Sequence, residues 1–359
     1  MSVLNQNIAI FNRIDFKDKL LFTKHLSIMI KSGIPLADAL AGLRDQTQNK
    51  ALRDLFSSLY LEVAGGHTLG QSIAKFPKVF DPLYIGLIKT GEESGTLDAN
   101  LGYLAIQLRK EYESRKKIQG VLLYPAIVLT AASIVGLGVS YFLLPQLSQL
   151  FDSLDVTLPL STRILLGIAD FIKRFGVFIP FALVGALAGF RLFIALAWVK
   201  PYWHAFLLRV PLFGPFLRDV QLSTLFRNMG IMLKSGLPIT LILEIQRQST
   251  TNLVFKKYIA RLAEAVDHGK SIEQELDTNT YHHIPQIASK MIGVGERSGN
   301  LDESLTYLGE FFEEEVDTVS KNLSTVLEPI LLLVIGLVVA FVAFSIITPL
   351  YQLTSGIHK

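Results

Sequence analysis

The sequence predicts an all-α membrane protein made of two repeated cytoplasmic helical bundles and three transmembrane helices. Three observations predict it: long apolar runs, a helical spacing of apolar residues between them, and motifs that recur at a fixed distance. The 359-residue chain is 50% hydrophobic and 18% charged, with a mean hydropathy of +0.41. That is more apolar than a soluble core of this length requires, so the excess belongs in spans.

The elements follow in chain order. Asn7 to Phe11 is a short apolar patch followed at once by Asp15, Lys17, Asp18 and Lys19, which reads as no cleavable signal and leaves targeting to the first span. Residues 1–117 form the first cytoplasmic domain, where Leu20, Leu26 and Met29, and then Leu52, Leu55, Phe56, Leu59 and Val63, recur at about 3.6-residue spacing. No alternating run of strand length interrupts them. Gly120 to Leu144 is the first apolar run, inside a transmembrane helix over 118–145. A periplasmic hairpin over 146–174 and a second transmembrane helix over 175–198 come next, the latter holding the run Phe175 to Trp198. The second cytoplasmic domain spans 199–326, the third transmembrane helix 327–350 with the run Pro329 to Leu350, and a short periplasmic tail 351–359. Each run exceeds about 18 residues, enough at about 1.5 Å rise per residue to cross a hydrocarbon core of roughly 30 Å. The alternative, a buried core helix, belongs to runs of about ten to fourteen.

Charge sets the direction. Arg109, Lys110, Arg115, Lys116 and Lys117 precede the first span, whereas Asp152 and Asp155 follow it and no base appears until Arg163. The positive-inside rule therefore places the N-terminal region in the cytoplasm. Lys200, Arg209 and Arg218 after the second span bring the chain back, although Lys173 and Arg174 before it argue the other way.

The repeat is explicit. Lys31-Ser32-Gly33-Ile34-Pro35 returns as Lys234-Ser235-Gly236-Leu237-Pro238, 203 residues later. Gly91-Glu92-Glu93-Ser94-Gly95-Thr96-Leu97-Asp98 returns as Gly295-Glu296-Arg297-Ser298-Gly299-Asn300-Leu301-Asp302 at an offset of 204, as Pro125 does at Pro329. Val63 and Gly66 match Val266 and Gly269. Duplication explains the odd number of spans: two copies that each end in an outward helix need one return helix between them. The motifs read as helix punctuation. Gly33 and Gly236 suit a left-handed position after a helix, and Pro35 and Pro238 the start of the next. Gly91 and Gly295 are expected to end a helix, with Thr96 and Asn300 capping the following one and Glu303 completing a capping pair. Glu92 and Glu296 suit a helix N-terminus or a partner contact, the structural role being preferred.

Little else in the chain points to chemistry. Gly269-Lys270-Ser271 resembles the end of a phosphate loop, but Glu264 stands where the upstream glycine is required. The neighbours His282 and His283 would diverge on a helix, so a solvated loop fits them better than a metal site. Neither a Gly-x-Ser-x-Gly elbow nor a His-Glu-x-x-His pair is present. The run Glu313-Glu314-Glu315 with Asp317 reads as a solvated face able to meet a basic partner. Glu328 lies at the membrane boundary, but its counterpart is Tyr124, which argues against a shared role. Arg191 can reach the headgroups from its span, and Gly136 and Gly138 allow another helix to approach. With no cysteine there is no thiolate chemistry, and a net charge of +3 without a basic stripe excludes nucleic acid as a partner class. No cofactor and no metal are expected.

Taken in order, these residues resemble the type II secretion F family (GspF/PilC-like), the polytopic platform proteins of type II secretion and type IV pili. The resemblance runs from about Phe22 to Leu353. It includes both copies of Lys-Ser-Gly-x-Pro and Gly-Glu-x-Ser-Gly-x-Leu-Asp, Leu158-Pro159 with Thr162, and Arg209-Val210-Pro211-Leu212-Phe213-Gly214. It implies bundles of about six helices and a multi-pass protein of the bacterial inner membrane, N-terminus cytoplasmic and C-terminus periplasmic. It further implies a homo-oligomer that couples a cytoplasmic hexameric assembly ATPase to pilin or pseudopilin transmembrane helices, alongside other inner-membrane assembly proteins. No catalytic residues carry over. One departure is the N-terminal segment common in the family, reduced here to about twenty residues before Phe22. The competing classes are a small-solute transporter or channel, disfavoured by spans almost devoid of polar groups, and a membrane enzyme, disfavoured by the missing constellations.

Overall fold

The computed structural model describes residues 14–139, 142, 160–176, 178–211, 213–278 and 280–356. Every regular element among them is a helix. The first copy supplies α1 (Phe16–Lys31), α2 (Leu36–Gln46), α3 (Lys50–Ala64), α4 (Leu69–Ala74), α5 (Pro82–Ser94) and α6 (Leu97–Gly138). Between the copies lie α7 (Leu160–Phe175), α8 (Phe178–Ala195) and α9 (Lys200–Arg209). The second copy repeats the first with α10 (Phe213–Lys234), α11 (Ile239–Ser249), α12 (Leu253–Asp267), α13 (Ile272–Leu276), α14 (Gln286–Ser298) and α15 (Leu301–Gly356). Among the described residues each copy has six helices, counting the long last one that runs on into an apolar stretch.

The helix ends are fixed by the residues that recur. Among the described residues the positive-φ glycines form three pairs, Gly33 with Gly236, Gly66 with Gly269, and Gly95 with Gly299. After α1 the Gly33 N–H donates to the Ile30 carbonyl at 2.9 Å and the Ile34 N–H to Met29 at 3.1 Å. After α10 the Gly236 N–H donates to Leu233 at 2.8 Å and Leu237 to Met232 at 3.0 Å. This double closure needs a left-handed residue, which glycine adopts without a Cβ penalty. Pro35 and Pro238 then occupy the N-cap positions of α2 and α11 with φ of −55° and −67°.

At Gly91 and Gly295 the structure corrects the sequence. Both helices continue to Ser94 and Ser298 and end at Gly95 and Gly299. Gly91 and Gly295 are small because the following helix passes over them. A Cβ on Gly91 would lie 2.9 Å from the Leu97 Cα, and one on Gly295 2.5 Å from the Ser304 Oγ.

The chain divides into two compact units, each described by itself. The first joins the described residues through Lys116 with His204–Val319, so both copies share one unit. Its core draws Leu26, Leu40, Leu59, Ile73 and Leu101 from the first copy and Leu222, Ile242, Ile259, Ile292 and Leu305 from the second, all nearly inaccessible. The copies touch where Ile245 of α11 lies against Gly86 of α5, so close that a Cβ on Gly86 would be 2.8 Å from the Ile245 Cδ1. They are also joined at Glu313, which accepts from Lys110 at 2.9 Å through both oxygens and pairs with Arg227. The expected solvated face therefore needs correction at Glu313: with Arg227 only 12% exposed, its guanidinium requires a carboxylate partner.

The second unit comprises Lys117–Trp203 and the described residues from Ser320. Here Glu328–Thr348 of α15 is long and apolar enough to cross a membrane. Its Leu332, Leu333, Leu337, Val338, Val339 and Phe344 are all exposed, a surface that water does not tolerate on every side of a helix. For the first expected span the described apolar stretch is Leu123–Gly136, and most of its far end lies outside the described residues. Within the second expected span, Phe175 to Trp198, α8 covers Phe178–Ala195, and the chain then turns by 102° between Val184–Ala195 and Lys200–Arg209. Within the stretch expected as a periplasmic hairpin, Leu158 and Pro159 lie outside the described residues, whereas α7 is a helix. It packs Leu165 against Val139, Val342 and Ile346, and the Thr162 hydroxyl donates to the Ser345 carbonyl at 2.7 Å.

Candidate functional site

The Gly-Glu-x-Ser-Gly motif holds a short helix by its N-terminus, once in each copy. A helix of five or six residues leaves its first N–H groups without internal acceptors, and here every one of the leading donors is answered. The Glu92 carboxylate accepts from the Leu69 N–H and, at 2.7 Å, from the Gly70 N–H. Thr68 Oγ1 accepts from Gln71 N–H at 3.1 Å, and Gln71 reaches back to the Thr68 N–H. In the second copy Glu296 accepts from Ile272 at 2.7 Å and Glu273 at 3.0 Å, while Ser271 and Gln274 form the same reciprocal cap. The carboxylate also meets the positive end of the helix dipole. Glu92 and Glu296 thus each cap the N-terminus of a short helix. The two capping boxes were missed, although Thr68-x-x-Gln71 and Ser271-x-x-Gln274 are readable as such.

The other motif residues fall into place around this clamp. Gly95 and Gly299 close α5 and α14, while Leu97 and Leu301 pack on the core at the start of α6 and α15. Asp98 and Asp302 lie in the first turns of those helices, where negative charge suits the dipole. Pro125 and Pro329 are inside α6 and α15, and exposed Glu328 begins the apolar part of α15. Pro211 follows α9, and Gly214 lies in the first turn of α10. A Cβ on Gly214 would stand 2.3 Å from the Leu208 carbonyl oxygen.

The copies solve equivalent contacts in opposite ways. In the first, Ser27 faces Gly102; in the second, Gly230 faces Thr306. Lys89 lies over Gly70, whereas Glu273 lies over Gly293. The Thr23 hydroxyl meets the Tyr84 hydroxyl at 3.0 Å, where the second copy has Phe226 and Ala288. Burial pushes the Tyr84 phenol well up, so it stays protonated. Bulk is kept and moved to the other side of each contact.

The residues that resemble chemical motifs are elsewhere. Gly269 ends α12 and Ser271 caps α13, so Gly269-Lys270-Ser271 is a helix junction. His283 departs from the expected solvated loop: it is half-buried beside Phe255 and Tyr258, at 6.4 and 6.3 Å between ring centres. That burial, with His282, Arg218 and Arg209 nearby, holds its pKa below the usual value. Among the described residues no cluster of three potential metal ligands occurs.

A duplicated all-helical fold, with motif residues engaged in holding helices and a largely exposed apolar helix long enough to cross a membrane, fits a membrane-associated protein. Its two copies coincide with the two segments, 22–145 and 225–349, that match the family model described as type II secretion system (T2SS), protein F. The chain belongs to that family. It is 30% identical to a type II secretion system protein F of Pseudomonas aeruginosa, over 94% of this chain and 83% of the relative. It is also 30% identical to a type IV pilus assembly protein PilC of Thermus thermophilus, over 94% and 82%. With the PilC of Myxococcus xanthus the identity is 29%, over 99% and 86%.

Proposed function

We propose that this chain is the inner-membrane platform of a type IV pilus or type II secretion machine, a scaffold without catalysis of its own. The observation that carries the reading is that each family-matched copy ends in an unbroken helix, α6 or α15, passing from a packed core into an apolar run. Such a helix links a cytoplasmic binding surface to the bilayer with no intervening loop. On this reading the domains at 1–117 and 199–326 are cytoplasmic, and the membrane is crossed near 118–145, 175–198 and 327–350. The hairpin at 146–174 and the tail at 351–359 face the periplasm. Partners are a cytoplasmic hexameric assembly ATPase, met by the helical unit, and pilin or pseudopilin transmembrane helices, met by the apolar helices; the platform is a homo-oligomer. The recurring Gly-Glu-x-Ser-Gly turns serve these contacts indirectly, by holding α4 and α13.

A transporter is the weaker reading, because the exposed stretch of α15 from Ile330 to Phe344 offers no ionisable group to a solute. The test is photo-crosslinking in cells from exposed positions of α3 and α12 and from Leu123 and Ile127 of α6. Capture of an ATPase by the former and of a pilin-like apolar helix by the latter is expected. Capture of neither, or solute flux through vesicles holding this chain alone, would overturn the reading.

A further inference from the structure

Where α11 meets α5 the two copies touch in one direction only, beside the Lys110–Glu313 pair that joins α6 to α15. Ile245 of α11 fills the space over Gly86 of α5, with the Cδ1 2.8 Å from where a Cβ would stand. In the repeat register Gly86 corresponds to Lys290 of α14, and Ile245 to Gly42 of α2. A self-complementary pair of copies would therefore also bring Lys290 to Gly42. It does not: within 4 Å of a Cβ on Gly42 lies only Met29 Cε, at 3.4 Å. Lys290 instead reaches Asp277 at 2.8 Å with its side chain 51% exposed. The contact is heterologous, and a heterologous contact leaves one of each of its two surfaces unused.

Exposure marks the unused surfaces. On α5, Leu83 and Leu87 are 8% and 1% exposed, but on α14 the counterpart of Leu83, Ile287, is 55% exposed, and Val294 on the same face is 53% exposed. The unused pair also carries the signature of the contacts already satisfied inside each copy. Where one copy has glycine under a longer side chain, the other has the longer side chain and the glycine exchanged, as at Gly70 and Lys89 against Glu273 and Gly293. Gly86 under Ile245 has as its exchanged form Gly42 under Lys290. Charge agrees, because Asp38 and Asp45 lie about one turn to either side of Gly42 on α2, both exposed, with Asp45 sharing its carboxylate with Arg44 at 2.8 Å.

We propose that a second copy of this chain docks its α2 on α14, with Lys290 over Gly42 between Asp38 and Asp45 and with Ile287 and Val294 covered. This rests on the homo-oligomeric platform above and names the surface through which it assembles. Among the described residues each chain leaves this face of α14 and this face of α2 uncovered, so the contact repeats from chain to chain.

The absence of cysteine makes the test direct. Two full-length chains with different tags are co-expressed in membranes, one carrying Ala41→Cys and the other Val294→Cys, and treated with a short bis-maleimide. A crosslinked product bearing both tags is expected only when both cysteines are present. Lys290→Glu should lower its yield about tenfold, and Asp38→Lys in the partner should restore most of it. An oligomer by native mass measurement that gives no such product overturns this surface and leaves the platform reading standing. A monomer overturns the oligomer and the surface together, and a yield indifferent to Lys290→Glu overturns the placement of that residue.

Discussion

A single carboxylate bonded to two leading N–H groups of a helix replaces acceptors that a five- or six-residue helix cannot provide for itself. Glu92→Ala and Glu296→Ala are each expected to cost about 1–3 kcal/mol, with Gln losing less because it keeps one acceptor oxygen. Amide exchange at Leu69 and Gly70, or at Ile272 and Glu273, reads this locally; unchanged protection would contradict the clamp. His283 gives a pH dependence of known sign. Its folded pKa lies below the ordinary 6.5 because burial disfavours the cation. The neutral ring's contribution is therefore complete above 6.5 and is lost as pH falls from there through the lower folded value. Melting temperature should drop as pH falls below about 6.5, and His283→Gln should flatten that part of the curve. Gly33 and Gly236 were legible in the sequence, since a left-handed turn is a property of one residue and its neighbours, whereas the turns at Gly95 and Gly299 were placed four residues early. Gly91 was not legible, because its constraint comes from a helix that begins six residues later and folds back over it.

At the scale of elements, the apolar spacing of α1 and α3 and the recurrence at 203 and 204 residues were enough to place helices and pair the copies. The helix α7 was missed within a segment expected as a hairpin, although Ile164, Leu165, Ile168, Phe171 and Phe175 carry a helical spacing. The exchanged contacts could not be read before the helices were paired, because each needs two residues distant in sequence. They make a strong test of packing. Gly293→Lys alone should destabilise the second copy by about 1–3 kcal/mol, since the Glu273 carboxylate occupies the space. Adding Glu273→Gly reproduces the Gly70 and Lys89 arrangement and should recover more than half of the loss in a double-mutant cycle. Additive losses would show that the two positions do not share a contact.

At the scale of the whole molecule, membrane association was legible because composition integrates over the entire chain, whereas the limits of individual spans were not. The sharp turn after Ala195 has no apolar break in the sequence to announce it; Leu196 and Trp198 continue the run. Docking of the copies through Glu313 was equally hidden, since an acidic run looks the same whether solvated or paired. Glu313→Gln should strand Arg227, cost about 1–3 kcal/mol and turn one cooperative unfolding transition of the helical unit into two. A single unshifted transition would contradict its role. The exchanged contacts bear on heredity as well as on packing. Duplicated coding segments invite recombination that deletes one copy and fuses the halves. A fused module joining α1 to α15 would set Ser27 against Thr306, and one joining α4 to α14 would set Gly70 against Gly293, a crowd in one place and a void in the other. The divergence that lets each copy pack well alone also makes such recombinants poor folders, so the duplication is protected by the misfit of its own hybrids.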